Sequence, residues 1–172
     1  MGSLAAATGL SKSGILTVFG NREALQVAAV REARQIYRET VIAPAWGAVP
    51  GRPRLRALID SWLNYVRARV FPGGCFVAAT TVEYGHRDGP VAEAVRRLKR
   101  EWLDLLESEL AAAGSPDPAT DAFRIDAFLT AGNTRRELFD DDAALVRARD
   151  LALHVVDEGA DPEAPSAGAS AG

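Results

Sequence analysis

The feature that most constrains this chain is its apolar spacing. From Leu25 to Val156 the apolar side chains recur every three or four residues, and Pro and Gly punctuate them. Leu25, Ala29, Ala33, Ile36, Tyr37 and Val41 mark one face of a long helix that is predicted to end before Pro44. Gly47 to Pro53 reads as a turn. Leu55, Leu58, Ile59, Trp62, Tyr65, Val66 and Val70 give a second helix, stopped by Pro72-Gly73-Gly74. Cys75 to Tyr84 is a shorter apolar piece. It reads as helix, although Val77 and Thr80-Thr81-Val82 would tolerate a strand. Asp88 is placed to cap the next helix, with Pro90 in its first turn. That helix carries Val91, Val95, Leu98, Trp102, Leu105, Leu106 and Leu110 and ends at Gly114. Asp117–Thr134 and Asp142–Val156 supply two more amphipathic helices. No alternating strand pattern appears, so the expected class is all-α with short connections.

At 172 residues, 48% hydrophobic and 25% charged, the chain has enough apolar material for a core. Its net charge of −3 excludes a uniformly basic surface. Residues 1–40 nevertheless carry a net +2, with Lys12, Arg22, Arg31, Arg34 and Arg38 against Glu23, Glu32 and Glu39. A positive head on an acidic body hints at a polyanion partner at the N-terminal end. Cys75 is the single cysteine, so neither an internal disulfide nor a cysteine-based zinc cage can form. That usage fits a reducing cytosol. No apolar run reaches membrane-spanning length and nothing reads as a signal peptide. Cytoplasmic location is expected, with no membrane partner.

Ahead of the long helix, Leu4 to Leu25 reads as two short helices with Gly9 in the turn between them, the helix-turn-helix pattern. Ser11 caps the second. Lys12, Ser13 and Gly14 form its exposed first turn, and Ile15, Val18 and Phe19 point back into the head. A recognition helix contacts base edges with its N-terminal residues, here Ser11, Lys12, Ser13 and Thr17. Gly14 would let the duplex approach closely. Arg22 opens the next helix beside free backbone amides, a natural phosphate seat. By spacing alone a small helical hairpin in a bundle is an equal reading.

The stretch LAAATGLSKSGILTVFGNREALQVAAV resembles the second, third and fourth helices of the tetracycline-repressor (TetR) family of bacterial transcription regulators. The stretches PGGCFVAATTVEYGHRDGPVAEAVRRLKREWLDLLESEL and LFDDDAALVRARDLALHVV resemble the body and last helix of one subgroup, so the likeness covers roughly residues 3–157. The resemblance implies a partial DNA-reading head over 1–24, a helical regulatory and dimerisation body over 25–158, and, from composition, a disordered tail over 159–172. It implies a homodimer paired through 119–134 and 142–157, with residues 23–43 as a transmitting helix. A small effector in the body would then release operator DNA by shifting the population of head arrangements. Lys12, Ser13, Gly14 and Thr17 would face the major groove, and Arg22 a phosphate. Leu16 and Val18 fall where the family usually carries aromatic or His side chains that reach the DNA backbone. Aliphatic groups cannot donate a hydrogen bond there, so anchoring should be weaker. The family's first helix has no counterpart ahead of Leu4. The expectation is either a start further upstream or a dimeric ligand-binding protein that has lost DNA binding.

Trp62, Tyr65, Phe76, Tyr84 and Trp102 could line an apolar pocket, with Cys75, Glu83 and His86 as polar contacts. The same spacing also suits core packing. His86 and His154 show no metal spacing, and a surface or capping role is expected for both. Asp140-Asp141-Asp142 reads as a helix start. The Arg96-Arg97-Lys99-Arg100 cluster reads as a solvated face pairing with Glu93, Glu101 and Asp104. No phosphate-cradling glycine loop or catalytic constellation is present, so no enzyme, cofactor or metal is expected.

Overall fold

The computed structural model describes residue 17 and residues 19–158. Among these, every regular element is helical: α1 (Arg22–Tyr37), a π-helical turn (Arg38–Ile42), α2 (Ala43–Ala45), α3 (Arg52–Arg67), α4 (Phe76–Tyr84), α5 (Pro90–Ala112), α6 (Pro118–Phe139) and α7 (Asp142–Glu158). The expected all-α class holds.

Local chemistry sets the boundaries. Asn21 caps α1, its side chain accepting from Ala24 N at 2.8 Å. The helix does not end before Pro44 as the sequence predicts. It widens into the π turn, where Ala43 N donates to Arg38 O, five residues back. A proline ring clashes with the carbonyl four residues earlier in a regular α-helix, and the wider turn relieves that clash. Pro44 therefore sits inside the short terminal turn α2. The ambiguous piece Phe76–Tyr84 is helical. Thr80 and Thr81 turn their hydroxyls onto the carbonyls of Phe76 and Val77, both at 2.7 Å, which suits β-branched residues to a helix.

Gly89, not Asp88, is the N-cap of α5. Its φ of 101° is a turn that a glycine makes without strain, and the exposed Asp88 carboxylate lies 3.9 Å from Arg96 instead. Asp117 caps α6 by accepting from Thr120 N at 3.1 Å. That helix runs five residues past Thr134 and stops where Asp140 takes a left-handed conformation. Asp141 accepts from Ala144 N at 3.1 Å and so starts α7, as the acidic run suggested.

The core follows most of the predicted stripe positions, but Ala29 and Val70 are exposed and Val30 is buried in α1 instead. Leu55, Leu58 and Ile59 of α3, Leu106 and Leu110 of α5, Ile125 of α6 and Leu145 of α7 are fully buried. Each contributes roughly 1.5–3 kcal/mol by leaving water. α6 and α7 form an antiparallel hairpin. α7 also packs on α3, while α5 touches α1, α3, α4 and α6 and so stands at the centre of the body. The basic cluster of α5 does not pair within its own helix. Lys99 reaches Asp126 of α6, and Glu101 is taken by Arg34 of α1, because partners on neighbouring helices stand closer than those one turn away.

Candidate functional site

The aromatic residues converge where α1, α3, α5 and α6 meet the start of α4. Tyr37, in the last turn of α1, wedges edge-on between two rings. Its centroid lies 5.4 Å from Tyr65 and 5.7 Å from Trp102, with interplanar angles of 85° and 86°. Beside it is a void of about 20 Å³ lined by Tyr37, Trp62, Cys75, Trp102, Asp126 and Thr130 among others. That is room for about one water molecule. Three of the eight residues expected at a pocket, Trp62, Cys75 and Trp102, thus line one void. Tyr65 stands behind it, and its hydroxyl accepts from Phe76 N at 3.2 Å. Phe76 leans on Phe71, centroids 5.2 Å apart, away from the void. Tyr84 is elsewhere: its hydroxyl accepts from Gln26 Nε2 at 3.0 Å and ties the far end of α4 to α1. Glu83 and His86 are exposed, and Glu83 pairs with Arg87. His154 is exposed and meets Glu158 at 3.1 Å.

The void has one polar edge. Lys99 Nζ lies 2.6 Å from both carboxylate oxygens of Asp126, with both side chains mostly buried. Sequence reasoning missed this pair, yet a signal was there. Asp126 sits one turn from Ala122 and Leu129, and Lys99 one turn from Val95 and Trp102, so both charges interrupt apolar stripes. Burial raises the Tyr37 hydroxyl well above its ordinary pKa, and the neighbouring Cys75, Tyr65 and Asp126 add to the rise. Burial likewise pushes the Cys75 thiol up, partly offset by the amides of Ala78 and Val77 and the Trp62 indole. A thiol held protonated is a poor nucleophile and a poor metal ligand. Among the described residues, no cluster of His, Cys, Asp and Glu is arranged to hold a metal ion.

Of the residues expected to read DNA, Ser11, Lys12, Ser13, Gly14 and Val18 lie outside the described residues. Thr17 and Arg22 are described and exposed. Arg22 is the first residue of α1, immediately after the Asn21 cap.

A family model described as the tetracyclin repressor-like C-terminal domain matches residues 51–152, which span α3 to α7 and include all of the void's lining except Tyr37. The chain belongs to the TetR-like family. No curated protein matches its sequence. Two solved TetR-like structures share its fold. One is SCO4454, a TetR-family transcriptional regulator from Streptomyces coelicolor, with a TM-score of 0.80 at 21% identity, covering 92% of this chain and 84% of that one. The other is AibR, solved in complex with isovaleryl coenzyme A and operator DNA, with a TM-score of 0.67 at 19% identity, covering 91% and 84%. Among the described residues, no helix is long and apolar enough to cross a membrane.

Proposed function

We propose that this chain is a homodimeric repressor that holds operator DNA and releases it when a small molecule occupies the body. The observation that carries the reading is the position of Tyr37. It belongs to α1, the helix that begins at Arg22 just after the N-terminal segment, and it also forms a wall of the internal void. A ligand that swells the void between Trp62, Cys75 and Trp102 must push on Tyr37 and so on α1. Residues 1–24 would be the reading head, with Lys12, Ser13, Gly14 and Thr17 in the groove and Arg22 on a phosphate. The ligand this geometry favours is small and largely apolar, with one polar group able to meet Lys99 or Asp126.

The dimer surface supports the same reading. Phe123, Ala127, Ala131 and Leu138 form an exposed stripe along α6, and Ala143, Val146 and Leu151 one along α7. Exposed apolar groups on two adjacent helices, with Arg147 and Asp150 among them on α7, suit a four-helix seam with a second copy.

The test is a mobility shift on the DNA flanking the gene, at increasing salt. A repressor retains that DNA, retention falls steeply with added salt, and a compound that binds the body abolishes it. A dimer that binds small molecules but leaves all such DNA unshifted overturns the repressor and supports a ligand-binding protein without a DNA partner.

A further inference from the structure

A second recess lies along the seam between α1 and α5, with Tyr37 and Trp102 of the aromatic cluster on its lining. The two helices run side by side in the same direction. Val27 to Arg34 face Pro90 to Glu101, and Tyr37 to Trp46 face Leu98 to Leu105. The seam opens into two chambers of about 540 and 360 Å³ that share Arg34, Leu98 and Glu101. Both volumes fall in the range of small-molecule sites. The boundary between them is one bridge: Arg34 Nε donates to Glu101 Oε2 at 2.7 Å and Arg34 Nη2 to Glu101 Oε1 at 3.1 Å. Both side chains are about two-fifths exposed.

The chambers differ in character. The smaller has mainly apolar walls, from Tyr37, Ile42, Trp46, Trp102 and Leu105, with Arg38 also on its lining, and Trp46 leaves more than half its surface in solvent. The larger presents Arg31 and Arg97 with Glu93 beside them, and neither arginine is within ion-pair distance of a carboxylate among the described residues. A long seam with a mainly apolar end, an end where three arginines face two carboxylates, and a fork-shaped guanidinium between them matches one ligand chemistry.

We propose that the α1–α5 seam binds a linear amphipathic anion, an acyl chain ending in a carboxylate or phosphate. The chain lies against Ile42, Trp46 and Leu105. The anionic head takes the Arg34 guanidinium from Glu101, with Arg31 and Arg97 as neighbouring charge. Releasing Glu101 to water is cheap because a partly exposed ion pair contributes little. A planar guanidinium accepts a new carboxylate or phosphate in the same bidentate geometry. This site shares the walls Tyr37 and Trp102 with the internal void but is lined by Arg34, Ile42, Trp46 and Leu105, which the void is not, and it stands whether or not the chain reads DNA.

The test is calorimetric titration of the full chain with octanoate and octyl phosphate, with octan-1-ol as the uncharged control. At least one anion should bind, octan-1-ol at least tenfold more weakly, and the better anion identifies the head-group class. Arg34→Gln should weaken that anion about tenfold or more, the usual effect of losing a charged hydrogen bond. Glu101→Gln should tighten it severalfold, because the internal competitor is gone. Trp46→Ala should weaken it, which binding at the internal void would not show. The proposal is overturned by no binding of either anion, by equal binding of octan-1-ol, by Arg34→Gln and Glu101→Gln moving affinity the same way, or by an indifferent Trp46→Ala.

Discussion

Tyr37 of α1 meets Trp102 of α5 edge to face, ring centroids 5.7 Å apart and planes 86° apart. Together with Tyr65 on the other side, this contact fixes the end of α1 in the core, since Tyr37 is almost fully buried. Truncation to alanine should therefore do two things. Tyr37→Ala should lower unfolding stability by about 3–5 kcal/mol, the range for losing a buried ring. It should also enlarge the void beside Trp62 and Cys75 enough to admit a small aromatic such as indole. Urea denaturation with and without indole checks both: the variant's midpoint should rise with indole while the parent's stays put.

At Gly132 the backbones of α6 and α7 come close enough to leave no room for a side chain. A Cβ there would stand 2.5 Å from Ala148 Cβ and 3.1 Å from Ala144 O. Two effects of Gly132→Ala oppose each other. Alanine in a helix interior gains about 1 kcal/mol over glycine. The clash is with the first atoms of a neighbouring helix, not with a flexible tip, so the hairpin must splay, at roughly 1–3 kcal/mol. We expect a net loss of stability, and a weaker dimer if α6 and α7 form the seam. Thermal melting and sedimentation at matched concentrations measure the two separately.

The sequence showed the body more clearly than the site, for a physical reason. Burial on one helix face writes itself into spacing, so Leu55, Leu58, Ile59, Leu106 and Leu110 were legible as core before any coordinates. Contacts between helices leave no such trace. The order of residues shows Lys99 and Asp126 each interrupting an apolar stripe, but not that they meet each other, nor that Arg34 claims Glu101. Trp62, Tyr65, Phe76, Tyr84 and Trp102 look alike as apolar aromatics. Only the packing separates the two at the void, Trp62 and Trp102, from Tyr65 behind it, Phe76 on Phe71 and Tyr84 on Gln26. Boundaries were legible where a side chain makes the cap, at Asp117. They were misplaced where backbone freedom decides, at Gly89 and across Pro44.

Glu109 is a buried carboxylate that holds the turn before α3. Its Oε2 accepts from Gly51 N at 2.7 Å and its Oε1 from Arg54 Nη1 at 2.9 Å, while Arg54 also donates to Ala48 O and lies over the Trp46 ring. Glu109→Ala would leave both the Gly51 amide and a mostly buried guanidinium without their acceptor. Removing one partner of a buried pair costs about 3–5 kcal/mol. Glu109→Gln keeps an acceptor for one of the two donors and should cost distinctly less. Chemical denaturation of the two variants orders them; equal losses would mean that volume, not polarity, is what Glu109 supplies.

Three protons near the void are held more tightly in the folded chain than in the unfolded one. Burial raises the pKa of Tyr37, Tyr65 and Cys75, and each of these groups is neutral when protonated. In the unfolded chain they ionise near their ordinary values, about 8.5 for Cys and 10 for Tyr. Between those values and the raised ones, the unfolded state has released protons that the native state still binds, so stability falls as pH rises. The contribution is fully present below about pH 8 and declines through pH 8.5–10 and above. The melting midpoint should therefore be flat from pH 7 to 8 and drop on the alkaline side. Tyr37→Phe, which removes the titrating hydroxyl and keeps the ring between Tyr65 and Trp102, should make that drop shallower. A midpoint that holds steady to pH 10.5 would mean these groups stay as accessible to hydroxide in the native core as in the open chain.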